Sequence, residues 1–118
     1  MNGDIYDVYE AIGVLKKVYD NFPDHKPLVK NNWALLPNGN VCCWDDENAC
    51  CFCLVGALRR FAIEQQISNE LAAKALNKAA QKRGFFDASE YNDDERCEPK
   101  HIRALVARAI NDLRRGYS

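Results

Sequence analysis

The chain lacks any apolar run approaching the ~18 residues that a membrane-spanning helix needs, so no such helix is expected. It also lacks an excess of either charge. Sixteen Lys and Arg stand against seventeen Asp and Glu, for a formal net charge of −1. A balance that even supplies no global field to hold a nucleic-acid backbone, and no acidic surplus to imitate one. Met1 to Asp4 show no basic stretch leading into an apolar one, so no signal peptide is expected. The compartment expected is therefore the cytoplasm, where cysteines stay reduced. The six glycines are scattered and form no phosphate-cradling loop. A serine-centred elbow, a pair of catalytic acids and a calcium loop are missing too. Glu90 to Glu95 is acidic but lacks the alternating ligand pattern that calcium needs. No complete catalytic constellation emerges.

What the chain does have is an ordinary globular composition, 47% apolar and 28% charged over 118 residues. That supports one domain, 1–118, with a core of its own. Ile5, Val8, Ile12, Leu15, Val18 and Phe22 recur at steps of three and four, predicting a helix from about Asp4 to Asn21. Pro23 and Pro27 end it. Trp33 to Trp44 reads as a β-hairpin around Asn38-Gly39, the dipeptide of a two-residue type I′ turn. Folding about that turn pairs Leu36 with Val41 and Trp33 with Trp44. Asp45, Asp46 and Asn48 offer caps for a second helix, about Ala49 to Gln65. Its inward stripe is Cys50, Leu54, Leu58 and Phe61, with Ala57 beside them. Ser68 caps a third, reaching about Arg83, with Leu71, Ala75, Leu76 and Ala79 inward and Gly84 ending it. Phe85 to Glu98 reads as a loop. Pro99 opens a last helix to about Arg115, with Ile102, Leu105, Val106, Ala109, Ile110 and Leu113 as its buried stripe. The expected fold is mainly α: about four helices in one domain, with a short hairpin at 33–44 between the first two.

Five of the six cysteines fall between Cys42 and Cys53. Three readings compete. As small apolar side chains they fill a helix–hairpin junction. As ligands, Cys50, Cys53, Cys97 and His101 have spacings that a structural zinc site accepts. As a nucleophile, Cys53 or Cys50 in a helix's first turn gains thiolate character from the macrodipole. His101 would then be the base, with Asn92 or Asp93 orienting it. A bland histidine, exposed or capping, is the competing account of His101. Asn92 and Asp93 are turn formers or, if they point inward, hydrogen-bonding groups for a ligand. Trp33 and Trp44 form an aromatic platform, or one of them is buried against the second helix. Arg59, Arg60, Arg103 and the other helix-surface cations read as a solvated face, with a local nucleic-acid or phosphate patch as the alternative.

The run Ala49-Cys50-Cys51-Phe52-Cys53-Leu54-Val55-Gly56-Ala57-Leu58, with Asn38-Gly39-Asn40-Val41 upstream and Tyr91-Asn92-Asp93 and Arg108-Ala109-Ile110 downstream, resembles the signature of a domain-of-unknown-function family of bacterial and phage proteins. The match runs in patches from about Trp33 to Leu113. It makes Cys53, Gly56, Asn92 and Asp93 the family-like positions and leaves the other cysteines outside the pattern. It brings no activity with it, but implies a phage-encoded accessory protein in the host cytoplasm. The resulting expectation is a non-enzymatic binding module without a cofactor. It takes a host protein, such as a defence component, or a nucleotide-like ligand at Asn92, Asp93, Cys53, Trp33 and Trp44. Zinc at Cys50, Cys53, Cys97 and His101 and a cysteine-dependent enzyme are the alternatives. A homodimer is allowed, since the apolar face of helix three can serve either a core or a partner.

Overall fold

The computed structural model describes residues 5–116. They form a mainly helical domain with a small antiparallel sheet between its first two long helices. Helix α1 spans Ile5–Asp20 and buries Val8, Ile12, Leu15, Val18 and the following Phe22. Asp4 and the Ile5 side chain, both part of the expected first helix, lie outside the described residues. Helix α5, Pro99–Gly116, buries every residue of the expected stripe. It packs along both α1 and α3, Glu70–Lys82. Ala72, Ala75, Leu76, Ala79 and Ala80 make the buried face of α3. Small alanines let helix axes approach closely.

The sheet departs from expectation. Strand β1, Ala34–Leu35, pairs on one edge with β2, Val41–Cys42, and on the other with β3, Cys51–Phe52. Ala34 faces Cys42 and Leu35 faces Val41. The hairpin register is thus one residue off the predicted one, and Trp33 and Trp44 are not partners. Pro37 explains the shift. A two-residue turn would pair Pro37 with Asn40, and proline has no N–H to give. Instead the Gly39 N–H donates to the Leu36 carbonyl at 2.9 Å, and the Leu36 N–H to the Asn40 carbonyl at 2.8 Å. Pro37 then sits at the second position of a type I turn, and Gly39, at φ +89°, takes the left-handed position that follows.

Strand β3 is the larger correction. Residues 49–53, expected as the start of the second helix, are not helical, and Cys51 to Cys53 are extended. The Cys50 and Cys53 N–H groups donate to the Leu35 and Trp33 carbonyls at 2.9 and 3.1 Å. Helix α2 therefore starts only at Leu54 and ends at Glu64, and Asp45, Asp46 and Asn48 cap nothing in it. The expected loop 85–98 also contains a short helix, α4, Ala88–Asp93. Asp87 caps it, accepting from the Glu90 N–H at 2.9 Å, while the Glu90 carboxylate accepts from the Phe86 N–H. This is close to a capping box, and Asp87-x-x-Glu90 is its sequence signature.

Both α2 and α3 end in Schellman turns. After α3, Gly84 is at φ +90° and the Phe85 N–H reaches the Ala80 carbonyl. After α2, Gln66 holds the same left-handed place at φ 57°, and the Ile67 N–H reaches the Ala62 carbonyl. Two arginines expected on a solvated face are tied into the fold. Arg60 donates to the Trp44 and Asp46 carbonyls and pairs with Glu64. Arg103 donates to the Phe22 carbonyl and pairs with Asp24. All six cysteines are free thiols, and no described helix is long and apolar enough to cross a membrane.

Candidate functional site

The strand β3 to helix α2 junction explains the cysteine-rich motif residue by residue. Phe52, Cys53, Leu54, Ala57 and Leu58 are all buried. Cys53 is the N-cap of α2, extended at φ −76° and ψ 170°, and its sulfur accepts from the Gly56 N–H at 3.2 Å. Gly56 is required by its neighbour. A Cβ there would lie 2.4 Å from the Trp33 carbonyl oxygen, inside any tolerable contact. The spacing Cys-x-x-Gly thus records a capping sulfur and a close backbone approach.

Asn92, the last-but-one residue of α4, is 1% exposed. Its Oδ1 accepts from the Leu54 N–H at 2.9 Å, and its Nδ2 donates to the Val29 carbonyl at 2.9 Å and to Asp93 Oδ1 at 3.0 Å. The same Asp93 oxygen accepts from the Asn31 N–H at 2.9 Å, holding Asn31 at φ 63°. An asparagine tolerates that left-handed backbone better than most residues. Lys30 adds a hydrogen bond from its ammonium to the Asp94 carbonyl. Asn92 and Asp93 therefore clamp the start of α2, the segment 29–31 and the end of α4 to one another.

This clamp forms the floor of an open groove of about 460 Å³. Asn31, Asn32, Trp33, Cys53, Val55, Ser89 and Asp93 line it together with Asn92. Four of the five residues expected to bind a ligand, Asn92, Asp93, Cys53 and Trp33, thus meet at one place. Trp44 does not join them. It is half-buried against the core and lines a separate shallow hollow with Ile63 and Ser68. Trp33 is 41% exposed. The Arg59 guanidinium stands over its ring, 5.0 Å from the centroid, within cation–π reach.

The expected thiolate at Cys53 is overturned by burial. Burial pushes this thiol above its ordinary range, the Gly56 N–H pulls it down, and the Asp93 carboxylate raises it again. The desolvation cost of a buried charge outweighs the helix end. His101 is not beside it. It lines another cavity, of about 170 Å³, with Cys97, Tyr91 and Arg96. There its Nδ1 accepts from the Glu98 N–H at 3.0 Å, which makes it a capping histidine at the start of α5. The arrangement of Cys53, His101 and Asn92 is not assembled.

Nor is the zinc set of Cys50, Cys53, Cys97 and His101. Cys50 precedes strand β3 and Cys53 follows it, so the two do not sit together in the first turn of a helix. Cys97 and His101 belong to the other cavity. Among the described residues no three Cys, His, Asp or Glu side chains gather into a metal-holding group. Instead Cys50 Sγ contacts Cys51 Sγ at 3.6 Å.

Arg59 was marked in the sequence only as one of several helix-surface cations, and Asn31 and Ser89, which also line the groove, carry no sequence signal. No protein-family model, no curated protein and no solved structure matches this chain.

Proposed function

We propose that the chain is a small non-enzymatic binding module, and that the groove between Trp33 and Asp93 takes a ligand carrying a flat ring and polar substituents, such as a nucleotide. The observation that carries this reading is the meeting, in one open groove, of an exposed tryptophan with several amide and carboxylate groups. Aromatic faces stack bases of any identity. Asn32 and Asp93 can then read the ring's polar edge, and Arg59, beside Trp33, supplies a cation for a phosphate.

Asn92 supports the site from beneath, since its amide is committed to Leu54, Val29 and Asp93. The family resemblance suggests a phage accessory protein acting in a host cytoplasm, with ligand capture as its means of interference.

The test is a tryptophan-fluorescence titration with purine and pyrimidine nucleoside monophosphates. Saturable quenching is expected in the wild type and in Trp44→Phe, and not in Trp33→Ala. No quenching by any nucleotide, or quenching that persists in Trp33→Ala, would remove the assignment.

A further inference from the structure

Cys50 and Cys51 adjoin in sequence, and side chains of successive residues in an extended chain point to opposite faces. Their sulfurs nevertheless meet at 3.6 Å. Both residues are partly exposed. The backbone beneath them is fixed, with the Cys50 N–H bonded to the Leu35 carbonyl and Cys51 facing Leu35 in the sheet. The pairing with Leu35 thus holds the two thiols side by side at the start of β3.

The separation selects what the pair can hold. It is the contact distance of two reduced thiols, not the ~2.05 Å of a disulfide bond. A linear two-coordinate centre would need its sulfurs at roughly twice a ~2.3 Å bond, which is too wide. Two bonds of that length at roughly 95–110°, the span from a pyramidal to a tetrahedral centre, place the sulfurs ~3.4–3.8 Å apart, and the observed 3.6 Å lies in that range. Zinc satisfies this bite but needs further ligands, and the described residues gather no third Cys, His, Asp or Glu. A centre that brings its own third substituent needs only the two thiols.

We infer that Cys50 and Cys51 form a bidentate thiol site for a monosubstituted trivalent arsenical, a soft pyramidal centre that carries one organic group. The reaction is a condensation. Each thiol gives its proton, two As–S bonds form, the arsenic–oxygen bond breaks, and one water leaves, with no change of oxidation state. Neutral thiols suffice, so the raised position of Cys51, caused by burial and by its contact with Cys50, is no obstacle. The site is separate from the Trp33 groove, which Cys50 and Cys51 do not line.

Phenylarsine oxide is the probe, added to the reduced protein and followed by intact-mass spectrometry. One adduct is expected, with loss of one water, stable to excess glutathione and removed by a dithiol. C50S and C51S should each lose the glutathione-stable adduct, and the double variant C42S/C43S should keep it. Alkylation mapping on the wild-type adduct gives a second readout that needs no folded variant. Cys50 and Cys51 should be protected together, with Cys43 still reactive. An adduct that glutathione strips, one that survives in both C50S and C51S, or protection at Cys42 and Cys43 instead would overturn the assignment.

Discussion

Asn92 Oδ1 accepts the Leu54 N–H at 2.9 Å, joining two segments 38 positions apart in the chain. The first N–H groups of a helix have no partner within it. Here a buried side chain from α4 supplies one for α2, while Cys53 supplies another through its sulfur. Two short motifs far apart in the sequence therefore serve one junction. The Asn-Asp of α4 and the Cys-Leu-x-Gly of α2 are halves of a single joint.

Asn92→Ala leaves the Leu54 N–H and the Val29 carbonyl buried without this partner. Each such loss costs ~1–3 kcal/mol, so the variant should lose about 3 kcal/mol of unfolding free energy. Urea denaturation checks this. A loss within the scatter of surface substitutions would mean that water replaces the amide and that the clamp holds nothing.

Gly56→Ala should be as damaging, for a steric reason. Its Cβ would meet the Trp33 carbonyl at 2.4 Å, and that carbonyl is backbone tied to the Cys53 N–H. Either α2 or β1 must move. A loss of about 3 kcal/mol or more is expected, with altered near-ultraviolet circular dichroism from Trp33. A variant with wild-type melting would show that the two backbones separate freely.

Gln66→Gly should stabilise the protein. Gln66 sits at φ 57° in the turn that ends α2, a conformation that costs a residue with a Cβ ~1 kcal/mol or more. Glycine relieves that cost, but its own greater backbone entropy on unfolding offsets part of the gain. A net rise of about 0.5 kcal/mol in thermal or urea unfolding is expected, and a fall would contradict the argument.

Burial raises the Cys97 thiol from 9.0 to about 11. Between these values the folded state keeps a proton that the unfolded chain gives up. Unfolding free energy therefore falls as pH climbs through that window, and is unaffected by this thiol below it. Cys97→Ala should flatten the decline between pH 9 and 11 relative to the wild type. Alkylation at pH 8.5–9 should also reach exposed Cys43 well before Cys97. Equal alkylation rates, or identical pH slopes in the two proteins, would count against it.

Sequence alone determined the long helices and their inner faces. In α1 and α5 the apolar period is unbroken and proline marks an end, so local pattern and tertiary burial ask for the same thing. Val8, Ile12, Leu15 and Val18, and Ile102 through Leu113, lie where the period puts them. Gly84 was legible for the same reason, because a helix end with glycine has a local cause. The groove was partly legible. Asn92, Asp93, Cys53 and Trp33 were each marked by residue type and by the family-like motifs.

Tertiary structure alone decided what those residues do. Residues 49–53 carry an apolar run that a helix or a strand can use, and periodicity cannot separate the two. The free edge of β1 settled it, because the Leu35 and Trp33 carbonyls accept from the Cys50 and Cys53 N–H groups. That one choice moved the start of α2 to Leu54, separated Cys50 from Cys53, turned Cys50 toward Cys51, and made Cys53 a buried cap. Asn92 likewise became a clamp only once α4 lay against α2. Hydrogen-bond partners dozens of positions away are set by packing of the whole chain, and no local window of sequence contains them.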